Sequence, residues 1–316
     1  MTEIVSMETI TPVAPGAPER LGEADLAALR AAITTLEKPS LAARLAGLAG
    51  APLEMIGRVL PEAVTDTVAQ AAEGAIRASL RTALATLPRG GTPADAAVPV
   101  PASPSLRARA LDLLGRFPPG DRGHKALAAL SGALGGAFGL STLAVELPVS
   151  TTLMLRSIAE IAQREGEDLG TPEAALACMQ VFALGGRAGD PKAVESGYFA
   201  VRAALAHAMA DAARYAAGRG LLDESAPALA RFAAQIASRF GLVVSQKAAA
   251  QAVPVVGALG GAAVNTAFMD HYQGVARAHF TVRRLERRYG KETVRAAYEA
   301  ERAALGLAPE PGQAAA

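Results

Sequence analysis

Glu146 is the residue in this chain best placed to do chemistry. It ends a run of twenty uncharged residues, 126–145, and is followed by Pro148 and then Arg156. A carboxylate against so apolar a stretch is costly to keep charged, and a functional role would explain that cost. A hydrolase built on it would need a base or a metal ion close by. Its plainer role is a helix-end carboxylate, paired with Arg156 or facing water. Asn265, inside a second uncharged run, suits a helix break or a hydrogen bond to another helix. The other reactive residues do not assemble into a motif. His124, His207, His271 and His279 show no HExxH or other ligand spacing, and Cys178 has no neighbouring Cys or His. GxSxG is absent, Ser131 lying in ALSGA, and GALGGAFG lacks the GK[ST] of a phosphate loop. We therefore name no catalytic residue, expect no metal or cofactor, and lean away from an enzyme.

The elements that must carry these residues are set by glycine spacing. GALGG occurs at 132–136 and again at 257–261, inside uncharged runs at 126–145 and 248–269. Gly132 and Gly136, Gly135 and Gly139, and Gly257 and Gly261 are each four apart, so each pair shares one helix face. Gly260 adjoins the last pair. Such a face lets another backbone approach, as in membrane helix pairs or in a tight crossing within a water-soluble bundle. Both runs have the length of a membrane span, but their Leu, Val and Phe content yields only about −3 kcal/mol of insertion free energy. Glycines, Gln251, Pro254 and Asn265 oppose even that.

Composition defines the fold class. Apolar residues make up 51% and aromatics only 4%, without tryptophan, so a core must be built from closely packed, alanine-rich helices. We expect an all-α, multi-helix bundle with two central glycine-rich apolar helices. Residues 1–20 read as a disordered N-terminus and 21–87 as an N-terminal helical region, with helices near 24–36, 41–49 and 61–87. Residues 88–104, with five prolines, read as a flexible loop. Residues 105–304 form the main helical body and 305–316 a disordered tail. Within the body, Thr171-Pro172-Glu173 opens a helix, with a capping residue, proline and then an acid. Asp190-Pro191 opens another, further helices cover 223–238 and 240–252, and Gly290 ends a basic helix.

That basic helix is the strongest interaction signal. From Arg277 to Arg302 there are eight Lys or Arg against four Glu, a net of +4. Arg277, Arg284, Arg288, Lys291 and Arg295 recur near helical spacing, opposite an apolar seam of Val275, Val282, Leu285 and Tyr289. The stripe suits an anionic lipid surface or an acidic partner, or is an ordinary solvated face over a core seam. Over the whole chain 31 basic residues meet 30 acidic ones, which points away from nucleic acid. A lone cysteine fits a reducing compartment, and the N-terminus shows no signal peptide.

The stretch GHKALAALSGALGGAFGLSTLAVELPVSTTLMLRSIAEIAQREGEDLGTPEAAL resembles the central signature of the EcsC family. PVVGALGGAAVNTAFMDHYQGVARAHFTVRRLERRYG is similar to that family's C-terminal pattern. The likeness runs from about Leu41 to Gly290. Glu146 stands where the family often carries Asp, and Glu165 where an aromatic is common. The resemblance implies membrane association and a link to an ABC transporter or secretion machinery. Together the readings point to a non-enzymatic protein at the cytoplasmic face of the cell membrane, touching anionic lipid and a membrane transporter. A soluble helical carrier of an apolar ligand such as lipid is the first alternative, and a hydrolase the second.

Overall fold

The computed structural model describes residues 20–37, 62–85, 143–186, 197–219, 226–251 and 257–307. Every regular element among them is a helix, so the all-α class holds. The eight helices are α1 (Glu23–Glu37), α2 (Glu62–Ala85), α3 (Leu143–Arg164), α4 (Pro172–Gly185), α5 (Tyr198–Arg219), α6 (Pro227–Gln251), α7 (Gly257–Tyr289) and α8 (Lys291–Ala304).

The centre of the described bundle is α4. Its sequence, PEAALACMQVFALG, is apolar on every side, and each residue from Ala174 to Gly185 is buried. A helix without a polar face must be covered all round. Here α3, α2, α6 and α7 close a ring about it, each touching the next, and α5 packs on α4 and α6. Thr171 caps its start as the sequence suggests, accepting from the Ala174 N–H at 3.3 Å. Two glycines let its far end fit. A Cβ on Gly185 would lie 2.3 Å from the Tyr272 ring, and one on Gly186 would lie 2.6 Å from the Arg239 carbonyl oxygen.

The expectation of two central glycine-rich helices is not confirmed among the described residues. The first GALGG lies outside the described residues. The second forms the opening turns of α7, a member of the ring rather than its axis. Small residues do allow the close packing, but the alanines of α4 supply it.

Two helix boundaries also differ from expectation. The predicted break between 238 and 240 does not occur, because α6 runs unbroken from Pro227 to Gln251. Gly241 sits inside it with Ala72 of α2 beside it, and packing against α2 and α5 outweighs the roughly 1 kcal/mol cost of a mid-helix glycine. The second uncharged run and the basic helix are not separate elements either. Residues 257–269 of that run and the basic segment both belong to α7, whose 33 residues span about 50 Å. Gly290, with φ +85°, ends it as predicted and turns the chain into α8.

Outside the ring, α1 and α8 lie on α7 and on each other. Pro148 falls within α3. It withholds one backbone N–H, and the hydroxyls of Ser150, Thr151 and Thr152 donate back to the carbonyls of Leu147 and Pro148 at 3.1, 2.6 and 2.8 Å. The scarce aromatics are concentrated. Phe182, Phe240, Phe268 and Tyr272 pack with centroids 5.2–6.2 Å apart where α4, α6 and α7 meet.

Candidate functional site

The register of α3 and α7 organises the molecule. Gln273 donates to the Ser157 hydroxyl at 2.8 Å, and Arg283 grips both oxygens of Glu167 at 2.8 and 2.9 Å. The residue offsets of both contacts are equal, 116 in each case, so the two helices run parallel. The start of α3 at Leu143 is therefore level with the opening turns of α7. Residues 143–145 close the first uncharged run and open α3, and residues 257–269 of the second open α7, so these described parts start at the same end of the bundle. The last turns of α6 reach that end as well, since Phe240 and Lys247 both lie beside Phe268. Lys247 is the last charge before the second run, and it is fully buried with Nζ 5.2 Å from the Phe268 ring centre. Leu242 nearby is 49% exposed.

The opposite end holds the ion pairs. Arg283 and Arg287 both bind Glu167 in the loop after α3. Arg284 donates to Glu165 at 2.9 Å and to Asp25 of α1 at 3.2 Å. Arg288 and the Tyr289 hydroxyl reach Asp25 at 3.0 and 2.8 Å. Of the predicted basic stripe, then, Arg284 and Arg288 are held by carboxylates. Arg295 lies over the Phe199 ring at 5.7 Å, and Arg277 and Lys291 are exposed.

A second polar knot lies where α1, α5, α7 and α8 meet. Arg202 holds both oxygens of Glu286 at 2.7 and 2.9 Å and donates to the Tyr198 hydroxyl at 3.3 Å. That hydroxyl is hydrogen-bonded to Nδ1 of His279 at 2.9 Å. Tyr198 stacks on Tyr298, whose hydroxyl donates to Glu37 at 2.8 Å. Glu37 ends α1, where the helix dipole disfavours an acid, and buried Arg302 lies 3.7 Å away to offset it.

Burial decides the protonation of these groups. It drives the His279 imidazole well below its usual pKa, and the Arg202 and Arg283 charges push the same way. It raises the Tyr198 phenol far above its usual value and pushes the Cys178 thiol up to about 12, with the Glu167 charge adding to the latter. Each is thus neutral at pH 7. A neutral thiol is a poor nucleophile, and an imidazole held neutral by burial is a weak base. The knot positions helices rather than reacting. Among the described residues, no three of His, Cys, Asp and Glu group as metal ligands would.

The other predicted residues are dispersed. Gly132, Gly135, Gly136 and Gly139 lie outside the described residues, while Gly257, Gly260 and Gly261 fall in the first turns of α7. Glu146 is in the first turns of α3, with its side chain outside the described residues. Its backbone stands ten residues from Arg156 on that one helix, about 15 Å along the axis. Asn265 is buried in α7. The sequence reading missed Asp25, Glu37, Glu165, Glu167, Arg202 and Glu286. Arg202 and Glu286 are 84 residues apart and Asp25 and Arg288 are 263 apart, and no local pattern marks such pairs.

Comparison with known proteins supplies one match. The family model described as the EcsC protein family covers residues 23–285, from the first residue of α1 to the last turns of α7. No curated protein and no solved structure matches the chain.

Proposed function

We propose that this chain, which belongs to the EcsC protein family, is a non-enzymatic membrane-associated protein that works beside a transporter at the inner face of the cell membrane. The observation that carries this reading is the parallel register of α3 and α7. It sets the starts of α3 and α7, each of which carries part of an uncharged, glycine-rich run of the sequence, at one end of a bundle whose other end is laced with ion pairs. A molecule so divided has one end suited to lipid and one suited to water. No described helix is long and apolar enough to cross a membrane, so the contact we propose is a shallow one made by the glycine-rich end. Arg283, Arg284, Arg287 and Arg288 of α7 contribute less to it, because Asp25, Glu165 and Glu167 already pair with them.

Flotation of the purified protein with neutral and with anionic vesicles tests this, each followed by a high-salt wash. Binding that survives salt on both vesicle types is expected, and Leu242→Asp should weaken it. Binding to anionic vesicles alone, lost in salt, would move the contact to the basic residues. Absence of flotation would overturn the membrane reading.

A further inference from the structure

A cavity of about 70 Å³ lies between α2, α3 and α4, open to the surface on one side. Leu155 and Ala159 of α3, Ala175 and Cys178 of α4, Ala83 of α2 and Leu169 from the turn before α4 form its apolar wall. It exists because three alanines face one another where a helix crossing would ordinarily be filled, close packing leaving few voids of this size. Its rim is polar at two points, Thr82 and Arg156. The Thr82 hydroxyl donates to the Ala78 carbonyl at 3.0 Å, within its own helix. Arg156 is exposed, and among the described residues no hydrogen bond or ion pair engages it, whereas Arg202, Arg283, Arg284, Arg287 and Arg288 each hold a carboxylate.

The lining dictates the ligand class. A largely apolar cavity roughly half the size of one that takes benzene accepts an alkyl chain of a few carbons. A guanidinium at the mouth, with no partner among the described residues, favours a planar anion that can accept two parallel N–H bonds. We propose that this cavity binds a short aliphatic carboxylate, its alkyl end against Leu155, Ala159 and Cys178 and its carboxylate on Arg156. The site is separate from the glycine-rich end and does not depend on the membrane reading.

Calorimetric titration of the full chain with linear carboxylates from acetate to decanoate, and with the matching 1-alkanols, tests it. Affinity should rise roughly fourfold per methylene until the cavity is filled, near hexanoate, and then level off. Hexanoate should bind more tightly than 1-hexanol. Arg156→Gln, a surface change, should erase that preference while leaving hexanol binding intact. Ala159→Leu fills the cavity and should abolish binding of both without lowering the melting temperature. An affinity that ignores chain length, an Arg156→Gln variant that keeps the acid preference, or no saturable binding at millimolar hexanoate would each overturn the proposal.

Discussion

Arg202 grips Glu286 through two hydrogen bonds, 2.7 and 2.9 Å long, and thereby joins α5 to α7 across 84 residues of sequence. The side chains are 18% and 8% exposed, so the pair is mostly withdrawn from water. Removing one partner leaves the other charge uncompensated. Arg202→Met should therefore cost about 3 kcal/mol or more in urea denaturation, and Glu286→Gln a comparable amount. The double variant Arg202→Met/Glu286→Leu should recover most of the loss, since a buried ion pair gains little over an apolar pair of similar size. A double variant as weak as the sum of the singles would disprove this account.

Stability should fall with acid in two stages. Burial lowers the His279 pKa in the folded protein, so the unfolded chain takes up that proton first. Its contribution is complete above about pH 6.5 and declines below it by about 1.4 kcal/mol per pH unit. For Glu167, burial pulls the pKa upward, but the Arg283 and Arg287 bonds prevail and hold the carboxyl below its usual range. The stability it contributes is present above about pH 4.5 and is lost as pH drops through its folded value. Denaturation at stepped pH should show His279→Gln removing the first stage and Glu167→Gln diminishing the second.

Two glycine substitutions should act in opposite directions. Gly185→Ala drives a methyl group into Tyr272, whose ring is fixed by Phe182, Phe240 and Phe268, and should cost about 2–3 kcal/mol. Gly74 lies inside α2, and a Cβ there meets nothing within 4 Å. Gly74→Ala should stabilise by about 0.5–1 kcal/mol. Thermal melts of the two variants check both signs.

Cys178 is the only cysteine in the chain and lies within α4, so it reports on the opening of the core. Its thiol is buried and, with its pKa raised to about 12, stays protonated at pH 8. Alkylation by iodoacetamide should be negligible in the native protein and fast in urea, its rate following the unfolded fraction. Rapid labelling under native conditions would contradict the buried placement.

Much of the fold was legible before any coordinates. Alanine richness and the shortage of β-branched and aromatic residues specify helices through local backbone preference, which acts within a few residues. Thr171-Pro172 and Gly290 were readable as helix punctuation for the same reason: a cap and a left-handed turn are local chemistry. Family membership was readable too, because motif order is linear. The glycine spacing did not indicate which helix would be at the centre. That place went to α4, because burial on all sides depends on which elements surround a helix.

The paired state of Arg284 and Arg288 illustrates the same divide. Their spacing along α7 made a basic stripe plain, and nothing in that spacing could reveal Asp25, more than 250 residues earlier. Nor could the sequence show that α3 and α7 run parallel, which sets their starts at one end, or that three distant alanines would leave a cavity beside an Arg156 with no partner among the described residues. Composition and short-range spacing fix what each segment is. Which segments meet, and which charges remain open to a partner, is a property of long-range packing, where contacts joined across a hundred residues or more compete for the same surfaces.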